Sequence, residues 1–220
     1  FRNVTFTGDD VQEVVGSYGK DTFIGSEGRE SLFGHHGDDV LEGRGGDDRL
    51  DGDRGDDRLI GGAGDDVLIG GQGIDRLEGG AGDDTYIIGK GDAFHQDTIH
   101  DSEGDNDKIV YTGDRELRIN EFRNNNGIEE IDTNGQRIEG SQEGSTLDFR
   151  NVTFTGDSLL EVRGDDGADT FIGGEGNEKL DGRSGNDTLQ GMGGDDYLIG
   201  DRGDDRLIGG AGDDVLIGGQ

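Results

Sequence analysis

Single apolar residues recur at every ninth position between residues 16 and 87, and most positions between them hold glycine or an acid. The unit Gly61–Ile69 shows the pattern clearly: glycine stands first and fourth, an acid sixth and an apolar residue eighth. Glycine permits the positive φ angles of tight turns, so the first six residues are predicted to form a turn. The last three form a short strand with its middle side chain inward. The predicted inward residues are Phe23, Leu32, Leu41, Leu50, Leu59, Leu68, Leu77 and Tyr86.

Two consecutive units are predicted to make one coil of eighteen residues, with one strand in each of two facing sheets. Turns eighteen residues apart then stack roughly 4.8 Å apart, as neighbouring strands do. This stacking brings the sixth-position acids of successive coils together in two columns. One column holds Asp21, Asp39, Asp57 and Asp75, and the other holds Glu30, Asp48, Asp66 and Asp84.

Stacked carboxylates repel one another unless a cation lies between them. Carboxylates and turn carbonyls offer an all-oxygen environment, which suits Ca²⁺. Mg²⁺ fits less well, because it demands octahedral geometry and loses its water reluctantly. The longer side chain of Glu30 predicts that the site it shares with Asp48 is weak or absent.

The apolar content of 27% and the formal net charge of −32 are typical of disordered chains. Disorder does not require an apolar residue at every ninth position, so the periodicity predicts a folded roll when metal is bound. Each coil buries few apolar side chains, and metal binding and folding are therefore expected to be one event. Without metal, the arrays are expected to be disordered.

The segments outside the arrays show strand patterns. Alternation in Phe1–Thr7, followed by valines, predicts two strands that cap the first coil and cover its edge. Asp97–His100 and Lys108–Tyr111 read as strands of a connector packed on the roll. Tight turns, of the kind that joins hairpins, are expected at Asn126–Gly127 and Asn134–Gly135.

Residues 149–220 repeat residues 1–72 without gaps, and identity at 53 of 72 positions indicates a tandem repeat of 148 residues. The chain is interpreted as one and a half copies, and the parent protein is expected to continue in both directions. The predicted organisation is a β cap segment at 1–15, an array of eight units at 16–87, a connector at 88–148, a second cap segment at 149–163 and an array of six units at 164–220.

Composition narrows the function classes. The chain has no cysteine for disulfides, and no apolar run approaches membrane-spanning length. Its acidity argues against nucleic acid as a partner. Calcium sites of low affinity require an extracellular setting with millimolar calcium, so the protein is expected to be secreted or on a bacterial cell surface.

The units resemble the repeats of RTX exoproteins, whose signature is G-G-x-G-x-D-x-U-x with U apolar. The resemblance implies export of an unfolded chain by type I secretion and an all-β fold, a calcium-bound parallel β-roll in two arrays joined by an all-β connector. In the family, the sixth-position carboxylate and turn carbonyls bind calcium. The ligands so implied are Asp21, Glu30, Asp39, Asp48, Asp57, Asp66, Asp75, Asp84, Asp169, Glu178, Asp187, Asp196, Asp205 and Asp214. Pairing acids eighteen residues apart predicts about ten calcium ions.

Two functions are compatible with these features. A tandem repeat extends length, which favours a structural spacer or adhesin rod. A polysaccharide-binding module attached to an extracellular enzyme is the alternative, although Arg58 and Arg76 make a short basic stripe. An enzyme is not expected, because the chain lacks a His-Glu-x-x-His zinc motif and a Gly-x-Ser-x-Gly elbow.

Overall fold

The computed structural model describes residues 3–5, 12–89, 97–101, 103–104, 106–119, 121–123, 127–140, 144–155 and 159–220. Every regular element in these ranges is a β-strand, and no helix that could cross a bilayer occurs among them. The chain divides into two compact units, Phe1–Gly113 with Asn126–Glu129, and Asp114–Asn125 with Glu130–Gln220.

The first unit is a parallel β-solenoid. Its odd-numbered strands form one sheet in sequence order, and its even-numbered strands form the other. The strands are β1 Asn3–Thr5, β2 Gln12–Val15, β3 Thr22–Ile24, β4 Glu30–His36, β5 Val40–Gly45, β6 Arg49–Arg54, β7 Arg58–Ala63, β8 Val67–Gln72, β9 Arg76–Ala81, β10 Thr85–Ile88, β11 Thr98–Ile99 and β12 Lys108–Tyr111.

The register confirms the predicted coil of eighteen residues. Leu59 of β7 lies between Leu41 and Leu77 of its neighbours, and Leu50 of β6 pairs with Leu68 of β8. Because partners differ by eighteen positions, eighth-position side chains form two apolar columns. All eight predicted inward residues are buried, at 1% exposure or less.

The strands outside the nine-residue pattern continue the same solenoid. At its start, β1 pairs with β3 and β2 pairs with β4, which confirms both strands predicted before the first array. At its end, β11 pairs with β9 and β12 pairs with β10, so the two strands predicted in the connector are also present. These connector strands extend the sheets of the roll; they do not pack on its outside. Parallel pairing requires only matched strands, and the turns between them can lengthen.

The second unit is also built from parallel strands. One sheet has the order β13-β16-β19-β21-β23-β25, a second has β14-β17-β20-β22-β24, and β15 pairs with β18. Its strands are β13 Leu117–Arg118, β14 Glu121–Phe122, β15 Glu130–Asp132, β16 Ile138–Glu139, β17 Thr146–Asp148, β18 Thr153–Thr155, β19 Leu160–Arg163, β20 Thr170–Ile172, β21 Glu178–Asp181, β22 Thr188–Gly193, β23 Tyr197–Ile199, β24 Arg206–Ala211 and β25 Val215–Ile217.

The turn expected at Asn134–Gly135 is present, but it does not make a hairpin. Both residues have positive φ, and the amide of Gln136 donates a 2.9 Å hydrogen bond to the carbonyl oxygen of Thr133. The strands on either side pair with different partners, since β15 joins β18 whereas β16 joins β13 and β19. The turn is therefore a corner between sheets of a solenoid. Asn126, in the other expected turn, lies outside the described residues.

Candidate metal centre

The sixth-position aspartates end their turns immediately before a strand, as Asp57 precedes β7 and Asp66 precedes β8, whereas Glu30 and Glu178 are the first residues of β4 and β21. Twelve of the fourteen predicted ligands are buried, and Asp205 and Asp214 are half-buried. The preceding residue is exposed in the same turns, for example Asp65 beside Asp66. The roll therefore encloses one carboxylate per unit although it has a strongly acidic surface.

One carboxylate oxygen of most of these acids links neighbouring coils. The amide of Asp39 donates a hydrogen bond of 2.7 Å to Oδ1 of Asp57, and the amide of Asp57 donates one of 2.8 Å to Oδ1 of Asp75. A bond of this kind joins all ten pairs predicted from the eighteen-residue spacing, at 2.6–3.0 Å. The structure thus brings the acids together in the columns that the sequence predicted.

The second carboxylate oxygen of these acids does not link neighbouring coils in this way. For nine of the fourteen acids, Oδ2 is buried and accepts no hydrogen bond within the described part of the chain. Leaving a buried acceptor unsatisfied costs free energy, and a buried charge costs far more unless it is paired. These oxygens belong to Asp39, Asp48, Asp57, Asp66, Asp75, Asp84, Asp187, Asp196 and Asp205.

The first glycine of the unit allows a turn carbonyl oxygen to approach these carboxylate oxygens closely. A Cβ placed on Gly61 would overlap Oδ2 of Asp66 and would lie 2.7 Å from the carbonyl oxygen of Gly79, one coil later. A carboxylate oxygen and a carbonyl oxygen therefore converge where the first glycine of the unit has no side chain. Oxygen donors of these two kinds are those that Ca²⁺ prefers.

The electrostatics of the columns favour a cation. Burial, together with repulsion from the neighbouring carboxylates, raises the pKa of the Asp57 and Asp48 carboxyls to about 7 and that of Asp66 to about 8. Hydrogen bonds from the backbone amides act in the opposite direction. In the metal-free roll these groups thus hold protons near neutral pH, and a cation would take the place of the proton.

The two glutamates differ from most of the aspartates, because each accepts a hydrogen bond from its own turn. Oε2 of Glu30 accepts a 3.0 Å hydrogen bond from the amide of Ser26, and Oε1 accepts one of 2.6 Å from the Ser26 hydroxyl. Glu178 accepts a 3.2 Å bond from the amide of Gly174. These carboxylates accept hydrogen bonds within their own turn, as Asp21 does from Ser17, and the weaker site expected between Glu30 and Asp48 stays a prediction.

Sequence analysis missed acids that continue the columns beyond the first array. Asp97 Oδ1 accepts from the amide of Asp75, and Asp107 Oδ1 accepts from the amide of Asp84, both at 2.8 Å. The spacings are 22 and 23 residues, so the eighteen-residue rule does not find them. The strands that follow, β11 and β12, were the available signal, since each is preceded by an aspartate.

A second ladder, also missed, runs along the exposed fifth positions. The amide of Asp65 donates to Oδ1 of Asp47 at 3.2 Å, and the amide of Ile74 donates to Oδ1 of Asp56 at 2.9 Å. Here the carboxylate accepts from the following coil, whereas a sixth-position carboxylate accepts from the preceding coil. The two adjacent acids of one turn therefore link it to both neighbouring coils.

The family profile of the RTX calcium-binding nonapeptide repeat (4 copies) matches most of the chain. The matched segments are residues 6–41, 15–50, 24–59, 42–77, 60–93, 161–189 and 190–220. The chain belongs to the RTX calcium-binding nonapeptide repeat family. A comparison with curated proteins finds no significant match.

Family membership and geometry agree on the ion. An RTX β-roll is a structural repeat fold whose repeats bind calcium. In this RTX chain the buried Oδ2 atoms and the turn carbonyls supply oxygen donors only, as a hard divalent cation requires. The residues present therefore fit Ca²⁺.

Proposed function

We propose that this RTX segment is a calcium-stiffened spacer, of the adhesin-rod kind, in a larger secreted bacterial protein. RTX repeats occur in secreted bacterial proteins, which supports an extracellular location. In this proposal the chain leaves the cell unfolded by type I secretion and folds in the higher calcium concentration outside. It performs no catalysis. The observation that carries the proposal is the set of nine buried carboxylate oxygens without a hydrogen-bond partner among the described residues.

The proposed ligands are the fourteen sixth-position acids together with carbonyl oxygens of the turns. The nine aspartates whose Oδ2 has no hydrogen-bond partner among the described residues would bind calcium through that oxygen while Oδ1 keeps its hydrogen bond to the neighbouring coil, as in the Asp57–Asp39 pair. The ten hydrogen-bonded pairs define ten proposed sites. Because each interior acid belongs to two pairs, the ions and the coils would stabilise one another.

Charge explains why folding would depend on calcium. The chain carries a formal net charge of −32, which opposes any compact state. Ten calcium ions would bring the net charge to about −12, and would do so inside the columns where repulsion is greatest. The metal-free chain is then an expanded polyanion, as its composition predicts.

A spacer role follows from the one-dimensional architecture. Each coil of a solenoid contacts only its neighbours, so length scales with the number of coils without altering the contacts within each one. The 148-residue tandem repeat is a direct means of adding such length. Polysaccharide binding is less well supported: Arg58 and Arg76 are paired neighbours in one sheet, but Glu78 lies 3.9 Å from Arg58.

Small-angle scattering and far-UV circular dichroism of the same sample test the proposal. In chelator we expect a coil spectrum and a radius of gyration of about 50 Å, the value for an unfolded chain of this length. Millimolar calcium should produce a β spectrum and a clear contraction, whereas equal magnesium should produce neither. A β spectrum already complete in chelator, or a radius of gyration that calcium does not change, would refute calcium-driven folding.

Two further measurements test the spacer role. Force spectroscopy on proteins with one, two and four copies of the 148-residue repeat should show a folded length in calcium that increases linearly with copy number. A folded length that does not scale with copy number would contradict the spacer. Turnover of a glycan or peptide substrate by the purified segment would contradict a purely structural role.

A further inference from the structure

Three buried carboxylates meet where the nine-residue pattern of the first array ends. Asp84, Asp101 and Asp107 are 2% exposed or less, and one carboxylate oxygen of each lies within 4.8 Å of the others. Of the three, Asp84 belongs to the last repeat unit, whereas Asp101 and Asp107 come from the segment that follows. We call these three residues the junction cluster.

Asp101 replaces a backbone carbonyl that earlier coils provide. A Cβ on Gly61 would overlap Oδ2 of Asp66 and lie 2.7 Å from the carbonyl oxygen of Gly79. A Cβ on Gly79 would in turn overlap Oδ2 of Asp84 and lie 2.5 Å from Oδ2 of Asp101. A charged oxygen therefore lies at the last turn where a neutral carbonyl oxygen lies in the array.

The Oδ2 atom of Asp84 points into this cluster without a partner. Asp84 is fully buried, and its Oδ1 accepts a 2.8 Å hydrogen bond from the amide of Asp66. Its Oδ2 accepts none from the described residues. The amide of Asp84 donates to Oδ1 of Asp107 at 2.8 Å, which holds the third carboxylate in place. Three buried carboxylates this close repel one another strongly unless a cation is bound.

Tyr86 positions the carboxylate of Asp101. Its hydroxyl donates a 2.6 Å hydrogen bond to Oδ2 of Asp101 and accepts one of 2.7 Å from the amide of Gly79. Tyr86 is fully buried at an eighth position, where the other seven units of the first array have phenylalanine or leucine. An outer hydrogen bond of this kind orients a ligand and raises the affinity of a metal site.

We propose that the junction cluster is a calcium site of its own, with three carboxylate ligands and a higher affinity than the repeat sites. The three oxygens lie within 4.8 Å of one another, about twice a Ca–O distance of roughly 2.4 Å, so each pair of them is close enough to share one ion. Affinity of oxygen-ligand calcium sites increases with ligand charge, and this site offers three charges where a repeat pair offers two. The inference rests on the proposed calcium binding of the repeats.

Occupancy of this site would close the end of the array. Asp101 follows β11 and Asp107 precedes β12, and these strands extend the two sheets beyond the last unit. One ion that binds Asp84 together with these two residues would therefore hold β11 and β12 against the roll. The junction is thus expected to fill at lower calcium concentrations than the repeat sites.

Calcium titration of the full chain, with Asp101→Asn as the main variant, tests this proposal. We expect Asp101→Asn to lose one ion per chain, from the tightest class of sites, in calorimetry and in native mass spectrometry. Asp83→Asn is the matched control, because Asp83 is an exposed neighbour of Asp84 and carries the same charge. It should bind as many ions as the original chain, with the same affinity.

Terbium luminescence gives an independent measurement, because the chain has no tryptophan and Tyr86 contacts a proposed ligand. Tyr86→Phe should lower tyrosine-sensitised emission and weaken the tightest site about tenfold. Asp101→Asn should remove the same part of the emission, and the double variant should lose no more than either one. If Asp101→Asn does not fold in saturating calcium, the test of the proposal rests on Tyr86→Phe, because this variant keeps all three carboxylates.

Unchanged ion number and affinity in Asp101→Asn, or an unchanged tightest site in Tyr86→Phe, would overturn the proposal. Asp57→Asn distinguishes this failure from failure of the proposed function. A repeat site lost in Asp57→Asn, with no effect of the junction variants, would leave the repeats as calcium sites and remove the junction site. If none of these variants loses bound calcium, both the junction site and the proposed calcium binding of the repeats are overturned.

Discussion

The amide of Asp39 donates a 2.7 Å hydrogen bond to Oδ1 of Asp57, while Oδ2 of Asp57 stays buried without a hydrogen-bond partner among the described residues. The two oxygens of one carboxylate thus have separate roles. Oδ1 links adjacent coils in the absence of metal, and Oδ2 is available to a cation. Because the relationship recurs along both columns, the effects of changing one acid are expected to depend on its place in the column.

An interior acid should matter more than a terminal one. Asp57→Ala should weaken two proposed sites and leave the buried amide of Asp39 without an acceptor, which costs about 1–3 kcal/mol. Asp21→Ala should affect one pair, because the Asp21 carboxylate is held in its own turn by the amide of Ser17 at 2.7 Å. Calcium calorimetry and thermal unfolding measure both effects.

Asp56→Ala, on the exposed ladder, is the control and should change stability by about 0.5 kcal/mol or less. Equal losses in the first two variants would contradict the eighteen-residue stacking.

Replacing a glutamate by aspartate should create a stronger site. Glu30→Asp shortens the side chain that accepts two hydrogen bonds from Ser26 through its two oxygens, so one oxygen should become available to calcium beside Asp48 while the other still accepts from Ser26, as one oxygen of Asp21 does from Ser17. Ser26→Gly combined with Glu30→Asp should increase affinity further, because it removes the competing donor hydroxyl. Glu178→Asp is the matched case in the second array, where glycine already occupies the second position. Calcium calorimetry that shows no gain in any of these variants would refute the structural account of the weak sites.

A core substitution should destabilise the calcium-bound roll as strongly as it does an ordinary apolar core. Leu59 is fully buried between Leu41 and Leu77, and Leu59→Ala should cost about 2–5 kcal/mol. Arg58→Ala, at the exposed neighbouring position, should cost about 0.5 kcal/mol or less. Urea unfolding in saturating calcium compares the two variants. A similar midpoint for both would show that the column of eighth-position residues does not hold the coils together.

Acid should stabilise the metal-free roll. Burial raises the pKa of Asp57 to about 7 and that of Asp66 to about 8, above the ordinary value near 4, so the folded state binds more protons than the unfolded state. This contribution is unfavourable to folding at high pH and disappears as pH falls towards the ordinary value. In chelator, β structure by circular dichroism should therefore increase from about pH 8 to pH 5. The same protons compete with calcium, so half-saturation should require more calcium at the lower pH. A spectrum in chelator that is identical at both pH values would contradict the raised pKa values.

The sequence alone determined the coil and the columns in the arrays. The period of eighteen residues is constant in the arrays, so residues eighteen apart become partners in neighbouring coils. The position of Leu59 therefore predicts that of its partner Leu77, and the position of Asp57 predicts that of Asp75. Glycine and acid positions repeat with the same period, so the local turn signals and the long-range strand pairing specify the same fold. The fold class and the proposed repeat ligands needed no further information.

Only the tertiary structure brought Asp101 and Asp107 to Asp84. Beyond residue 87 the spacing of successive coils changes to 22 or 23 residues, and no single period then relates one acid to the next. The same reason explains Asn134–Gly135, which forms its turn locally while its flanking strands join different partners. A local turn signal fixes backbone angles, but strand partners depend on loop lengths and on the sheet that is already present. Where coil length varies, side chains meet through the sheet register, which the nine-residue pattern does not encode.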